Sequence, residues 1–381
     1  MSTFDYYYYY FTAVFAGYPV IIKIAIFIIL ILFSLTVMSL IRFFYIRHKQ
    51  ILKAKRKKKI KKIYKANLID ILYFSFKELS VQDLNADAEL PEPQKKWQKR
   101  MLTDLILKVK SDKSYEMDGG VFQSYNYINL LTYFKLYDYW VNEISSTDIS
   151  KAIRALRVIN EIGGGVRGSS FSSSVYHRNG YLRKFARMTY TRFDSHDPYK
   201  FLEQGLDDHF NKFDEKRLHY ILIEMNKDHP IPLLTKWVRN STKENYKGFL
   251  VREMGFFKQY ESIPFLVELY KTEQSILVKC EIMETLGELE YEPLIDLAKE
   301  EFNSASKPLQ TSIIEGLRLL KSRKSLPFLT ETYQSTQFSE TKIKIVEMLQ
   351  EFDEEGMSIL ISLSEKSSSK FEENLFAYAL N

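Results

Sequence analysis

One cysteine, Cys280, and six histidines are all that this 381-residue chain offers as soft metal ligands. A single thiol excludes an internal disulfide framework and suits a cytosolic setting. None of His48, His177, His196, His209, His219 and His229 falls in HExxH spacing, and no second cysteine supports a zinc site. A GxSxG elbow is missing, and no motif places a base beside Cys280, which sits in an amphipathic helical stretch where burial is expected. Runs of Val, Thr and Ile joined through Asn-Gly or Asp-Gly hairpins are missing too. These absences predict an all-α protein that is not an enzyme and carries no cofactor or metal.

Lysine and arginine are absent ahead of residue 23, and so is a small-residue cleavage site, which argues against a cleaved signal peptide. What is present is an apolar run, residues 20–41, VIIKIAIFIILILFSLTVMSLI, broken by the single charge of Lys23. As a helix it would measure roughly 33 Å, close to the ~30 Å hydrocarbon thickness of a bilayer. The flank behind it is strongly basic: Arg42, Arg47, Lys49, Lys53, Lys55, Arg56, Lys57, Lys58, Lys59, Lys61, Lys62 and Lys65. Positive charge stays on the cytoplasmic side, so the expected topology is a single pass through the inner membrane, N-terminus out, C-terminal domain cytoplasmic. Phe4, the tyrosines 6–10, Phe11, Phe15 and Tyr18 read as an outer aromatic belt, or alternatively as a stacking surface for a sugar polymer. The net charge of +6 misleads, because without the basic flank the chain is slightly acidic.

Beyond the anchor, Ile51, Ile60, Ile63, Tyr64, Leu68, Ile71 and Leu72 recur at near-helical spacing, as for a stalk or a helix lying along headgroups. The acidic, proline-containing residues 83–93 predict a loop, residues 97–109 an amphipathic helix, residues 111–120 a break, and residues 125–144 an aromatic helix. Internal self-similarity then dominates. Prolines open apolar helices in IPLLTKWV (Pro232), IPFLVELY (Pro264), EPLIDLAK (Pro293) and LPFLTETY (Pro327). The following helices align at Arg252, Glu284, Glu315 and Glu347, with Met254, Leu286, Leu317 and Leu349 two residues later in each. In a looser version residues 125–144 and 148–162 make one helix pair, 178–193 a further second helix and 197–225 another pair, with residues 370–381 a capping helix. Units that cannot bury an apolar face alone must stack, which predicts an α-solenoid of roughly six to eight units. The expected segments are 1–19 (extracytoplasmic), 20–41 (transmembrane), 42–110 (basic juxtamembrane, helical) and 111–381 (repeats).

Helix pairs with an early proline and a charged second helix resemble HEAT repeats, over residues 125–381, although the units are shorter than the usual 40 or so residues. The order of membrane helix, lysine-rich flank and repeat array is similar to that of a group of Bacteroidota membrane proteins. HRNGYLRKFARMTYTRF, DPYKFLE and EKRLHYIL carry most of that likeness. Such proteins are often found beside membrane glycosyltransferases, so the resemblance implies a glycosyltransferase or its regulator as partner.

Three sets of residues are candidates for binding. Arg154, Arg157, Arg183 and Arg187 lie in a basic row with Lys151, Arg167, Arg178, Lys184 and Arg192, in which Arg154 with Arg157 and Lys184 with Arg187 share helix faces, and a protein partner would dock there. Lys55, Arg56, Lys57, Lys58, Lys59, Lys61 and Lys62 would meet anionic lipid, at about 1 kcal/mol per basic side chain near the surface. Arg167 and Arg178 flank the glycine-rich residues 162–174, IGGGVRGSSFSSS. That stretch lacks the Gly-Lys-Ser/Thr ending of a P-loop, yet glycine turns can hold anions. The leading expectation is a membrane-anchored scaffold that positions a partner. The alternatives are a sensor or enzyme for a phosphate-containing ligand at residues 163–174 and, less favoured, a nucleic-acid-binding array, since interleaved stacking aromatics are missing. Asp207, Asp208 and His209 allow a carboxylate–imidazole contact, but a solvated helix face is the favoured reading. Nothing in the sequence sets the oligomeric state.

Overall fold

The structure, a computed structural model, describes residues 3–86, 90–367 and 369–380. Residues 87–89 of the expected acidic loop, the first two residues of the N-terminal segment and Asn381 of the capping helix lie outside these. Most of the backbone is helical, and no strand occurs among the described residues. The chain divides into two compact units, Met1–Tyr139 and Trp140–Asn381. Residues 111–139, expected with the repeats, therefore belong to the first unit.

In the first unit a short helix, Thr3–Gly17, precedes one unbroken helix, Val20–Ile69. Its apolar first part is long and hydrophobic enough to cross a membrane and is not buried by protein. Lys23, at its N-terminal end, donates to the Ala16 carbonyl at 2.9 Å. The helix continues without a break through the lysine-rich residues, about 75 Å in all. Past Lys59 it gains a buried face of Ile60, Tyr64 and Leu68, continued by Ile71, Leu72 and Tyr73 in a closing π-helical turn, Asp70–Phe74. Helix Lys96–Ser111 packs along this face through Leu102, Ile106 and Val109. Carbonyls freed at the helix end are satisfied from a distance: Asn126 Nδ2 donates to the carbonyls of Ile71 (3.1 Å) and Lys77 (3.0 Å). The expected loop at residues 83–93 begins inside a short helix, Val81–Ala86. The expected aromatic helix at 125–144 is two helices, Ser124–Tyr133 and Leu136–Ile144, separated at Lys135 with φ +52°.

In the second unit, helices Glu244–Phe256, Ile276–Glu288, Lys307–Leu320 and Ser339–Gln350 pack each against the next. Between them run shorter helices, Ile263–Thr272, Leu294–Glu301 and Leu326–Ser335. Pro264 and Pro327 occupy the first turn and Pro293 the cap position, as the missing N–H allows. Pro232 does not conform: its helix starts only at Thr235. The repeat is also written in the backbone. Lys258, Glu290, Lys321 and Asp353 all adopt positive φ, from +46° to +56°, just after the four long helices. Each lies six residues beyond Arg252, Glu284, Glu315 and Glu347, so backbone and sequence keep one phase. Successive helices approach closely enough that a Cβ on Gly287 would collide with the Gly316 backbone, and one on Gly316 with the Met283 carbonyl.

Residues 197–210 depart from the expected helix. They form turns and bends, with Gly205 at φ +61° and Leu206 at +59°, ahead of helix Lys212–Asp228. Two consecutive left-handed residues cannot continue a right-handed helix.

Candidate functional site

Helix Gly180–Phe193 carries two of the four arginines expected to meet a partner, and both are spent inside the fold. Arg183 makes a two-pronged ion pair with Asp207, Nε to Oδ2 at 2.9 Å and Nη2 to Oδ1 at 2.7 Å. It also donates to the His177 carbonyl at 2.9 Å. Burial opposes ionisation of Asp207, yet the Arg183 bonds win and hold its carboxyl below the usual range. Arg187 is buried, donates to the carbonyls of Val175 (2.9 Å) and Leu206 (2.8 Å), and stacks 5.0 Å from the Phe201 ring centre. The two arginines thus pin the turns at 197–210, and Asp207 is a buried ion-pair partner, not part of a solvated helix face. Lys184, beside them, pairs with Asp214 at 2.5 Å. Arg154 and Arg157, on helix Ile149–Ile162, remain exposed; Arg157 reaches the Tyr181 hydroxyl at 3.3 Å.

The glycine-rich stretch turns at Gly163, Gly164 and Gly165, all with φ above +70°, and becomes a short 3-10 turn at Gly168–Phe171. Arg167 and Arg178 are exposed, and no carboxylate pairs with either among the described residues. Gly168, however, is pressed against the Asp194 carboxylate, so closely that a Cβ would collide with it. An anion entering here would meet like charge.

The feature that sequence reading passed over is a ladder of charge on the four stacked helices. Arg252 bridges Glu215 (2.6 Å) and Glu281 (3.0 Å). The Ser312 hydroxyl donates to Glu284 at 2.7 Å. Arg318 clasps Glu315, with 3.0 Å from Nε to each oxygen, and reaches Glu351 at 3.0 Å. Lys344 meets Glu347 at 2.9 Å. At one end His219 Nδ1 lies 2.8 Å from Glu253 Oε2. Burial pushes the carboxyls of Glu253, Glu281, Glu284 and Glu288 upward, and Glu315 and Glu288 add to the effect at Glu284. Glu315 is lowered by its Arg318 bonds. A cleft of about 560 Å³ opens among Glu315, Arg318, Lys344, Glu347, Gln350 and Glu351. The signal was present in the sequence: the acids at 284, 315 and 347 are the residues that set the repeat phase. Burial raises the pKa of Cys280, half-buried beside Ser312.

The seven basic residues expected at lipid, Lys55, Arg56, Lys57, Lys58, Lys59, Lys61 and Lys62, are all exposed on the long helix. They do not share one face. Lys57 and Lys61 turn toward helix Lys96–Ser111 and line a groove there with Lys53, Lys65 and Lys108. Lys58 and Lys62 flank a shallower surface with Lys61, Lys65, Ala66 and Ile69. Arg56 stacks 5.0 Å from the Trp97 ring centre.

Among the described residues no cluster of His, Cys, Asp and Glu could hold a metal ion. Neither protein-family models nor curated protein sequences give a match to the chain.

Proposed function

We propose that this protein is a membrane-anchored scaffold whose HEAT-like α-solenoid holds a protein partner at the cytoplasmic face of the inner membrane. The N-terminal apolar helix crosses the bilayer with the N-terminus out, and the lysine-rich part of the same helix forms the basic juxtamembrane segment. Sidedness rests on the asymmetry of lysine and arginine about the apolar run. Tethering raises the effective concentration of two proteins at one surface without new contacts. A membrane glycosyltransferase or its regulator is the partner that the resemblance implies.

One observation carries the reading: a charge or hydrogen-bonding group recurs at one place on each of four successive stacked helices, giving an extended polar surface with no catalytic grouping on it. Its partly buried carboxyls at Glu281, Glu284 and Glu288 favour a partner that brings positive charge. Arg154 and Arg157 remain as a second, separate contact; Arg183 and Arg187 are withdrawn from it because their guanidiniums are already bonded.

Crosslinking in native membranes, followed by purification of the full chain, tests this. One protein should be enriched, and Glu315→Lys with Glu347→Lys should abolish its recovery, while Arg154→Glu with Arg157→Glu reduces it. Enrichment no greater than that of an unrelated single-span protein would end the scaffold reading. Digestion of the repeat region by protease added outside intact cells would overturn the sidedness.

A further inference from the structure

The groove between the long helix and helix Lys96–Ser111 has a composition that structural packing does not explain. Lys53, Lys57, Lys61 and Lys65 stand four residues apart on one helix face, and Lys108 faces them from the second helix. Like charges at this spacing repel, costing a few tenths of a kcal/mol per pair. Elsewhere in the molecule lysines at packed surfaces find carboxylates, as Lys184, Lys247 and Lys342 do. Here, among the described residues, no ion pair forms at Lys53, Lys57, Lys61 or Lys108. Only Asp104 and Asp112 share the groove with the five lysines, and Asp112 already accepts from the Ser114 hydroxyl at 2.7 Å. The cavity measures about 290 Å³, and Ile60, Met101, Leu105, Val109 and Tyr115 supply an apolar and aromatic wall.

We propose that this groove binds a soluble anion bearing at least two phosphate charges, its phosphates among Lys57, Lys61 and Lys108 and any ring or chain against Met101 and Leu105. A multiply charged phosphate supplies the counter-charge that the fold leaves out, through charge-assisted hydrogen bonds from ammonium groups. A lipid headgroup offers the same chemistry but, with the helix upright, reaches Lys57 only at its limit and falls short of Lys61. Even with Ile46 at the hydrocarbon edge, Lys57 and Lys61 stand about 16 and 22 Å further along the helix. The headgroup layer is only about 5–8 Å deep on each side, and screening acts over about 8 Å. That choice of source rests on the anchored reading above; the groove's chemistry does not.

The experiment uses the full chain in neutral detergent, with pyrophosphate and ADP as soluble probes and phosphatidylglycerol vesicles as the lipid probe. Saturable thermal stabilisation by pyrophosphate or ADP is expected. Lys57→Gln with Lys61→Gln should weaken it about tenfold or more, as lost charge-assisted bonds require. Lys55→Gln with Lys59→Gln removes the same charge from residues outside the groove and should leave affinity within about twofold. Equal loss in both pairs, or no saturable response, overturns the site. Binding to the vesicles that depends on Lys57 and Lys61, with no response to the soluble probes, overturns the soluble source and lays the helix against the bilayer. Unliganded melting temperatures equal to wild type keep a folding defect from passing as lost binding.

Discussion

The two units treat charge differently. In the second unit the cations that lie against packed helices and turns find carboxylates: Arg252 between Glu215 and Glu281, Arg318 between Glu315 and Glu351, Arg183 against Asp207. In the N-terminal unit five lysines line a groove with only two aspartates, and among the described residues no ion pair forms at Lys53, Lys57, Lys61 or Lys108. Charges neutralised at home specify packing and turn geometry; charges left open must be met by something else. A surplus of basic residues in a sequence does not distinguish the two, since Arg187 and Lys57 look alike until their surroundings are known.

Removing one member of a neutralised pair should therefore cost most. Asp207→Ala strands the half-buried Arg183 beside Arg187 and should destabilise by about 3 kcal/mol, read as a lower denaturation midpoint and faster proteolysis at residues 197–210. Gly287→Val, which drives a side chain into the Gly316 backbone, should cost about 1–3 kcal/mol. Its signature is loss of cooperativity between neighbouring repeats.

The carboxyls of the ladder make a finer contrast. The pKa of Glu284 is raised in the folded state, so between its ordinary value and the raised one the native state holds more protons than the unfolded state. Stability must then fall as pH rises through that interval. Glu284→Gln keeps an acceptor for Ser312 and removes the charge. Wild type and variant should melt together below about pH 4, where the carboxyl is protonated in both states. At pH 7 the variant should be more stable, by on the order of 1 kcal/mol. Equal melting curves at both pH values would refute the claim that burial, and not a salt bridge, governs this position.

The smallest gain should come from the backbone. Lys321 is exposed at φ +53°, a conformation that side chains resist, so Lys321→Gly should stabilise by about 0.5–1 kcal/mol. The N-terminal unit supplies the control: Lys55→Gln should change unliganded stability by less than about 0.5 kcal/mol.

The phase of the four long helices was legible because it is carried by residues close in sequence: the Met254, Leu286, Leu317 and Leu349 positions are buried, as their register requires. The long helix was legible from composition. What escaped depends on groups far apart along the chain. Arg183 and Arg187 looked solvent-facing because Asp207 and the Leu206 carbonyl lie 24 and 19 residues away, in a segment whose apolar spacing suggested a helix. The lysine groove exists only once Met101 and Lys108 are brought alongside Lys57 and Lys61. Helix-face arithmetic on one segment cannot supply the second wall.

Because Val20–Ile69 contains no hinge, on the proposed anchored reading it would work as a lever about the bilayer midplane. A 10° change in the tilt of its apolar part, of the size that a shift in membrane thickness brings about, swings Lys61 sideways by roughly 8 Å. On that reading lipid composition would be converted into lateral displacement of the groove, with no signal other than geometry.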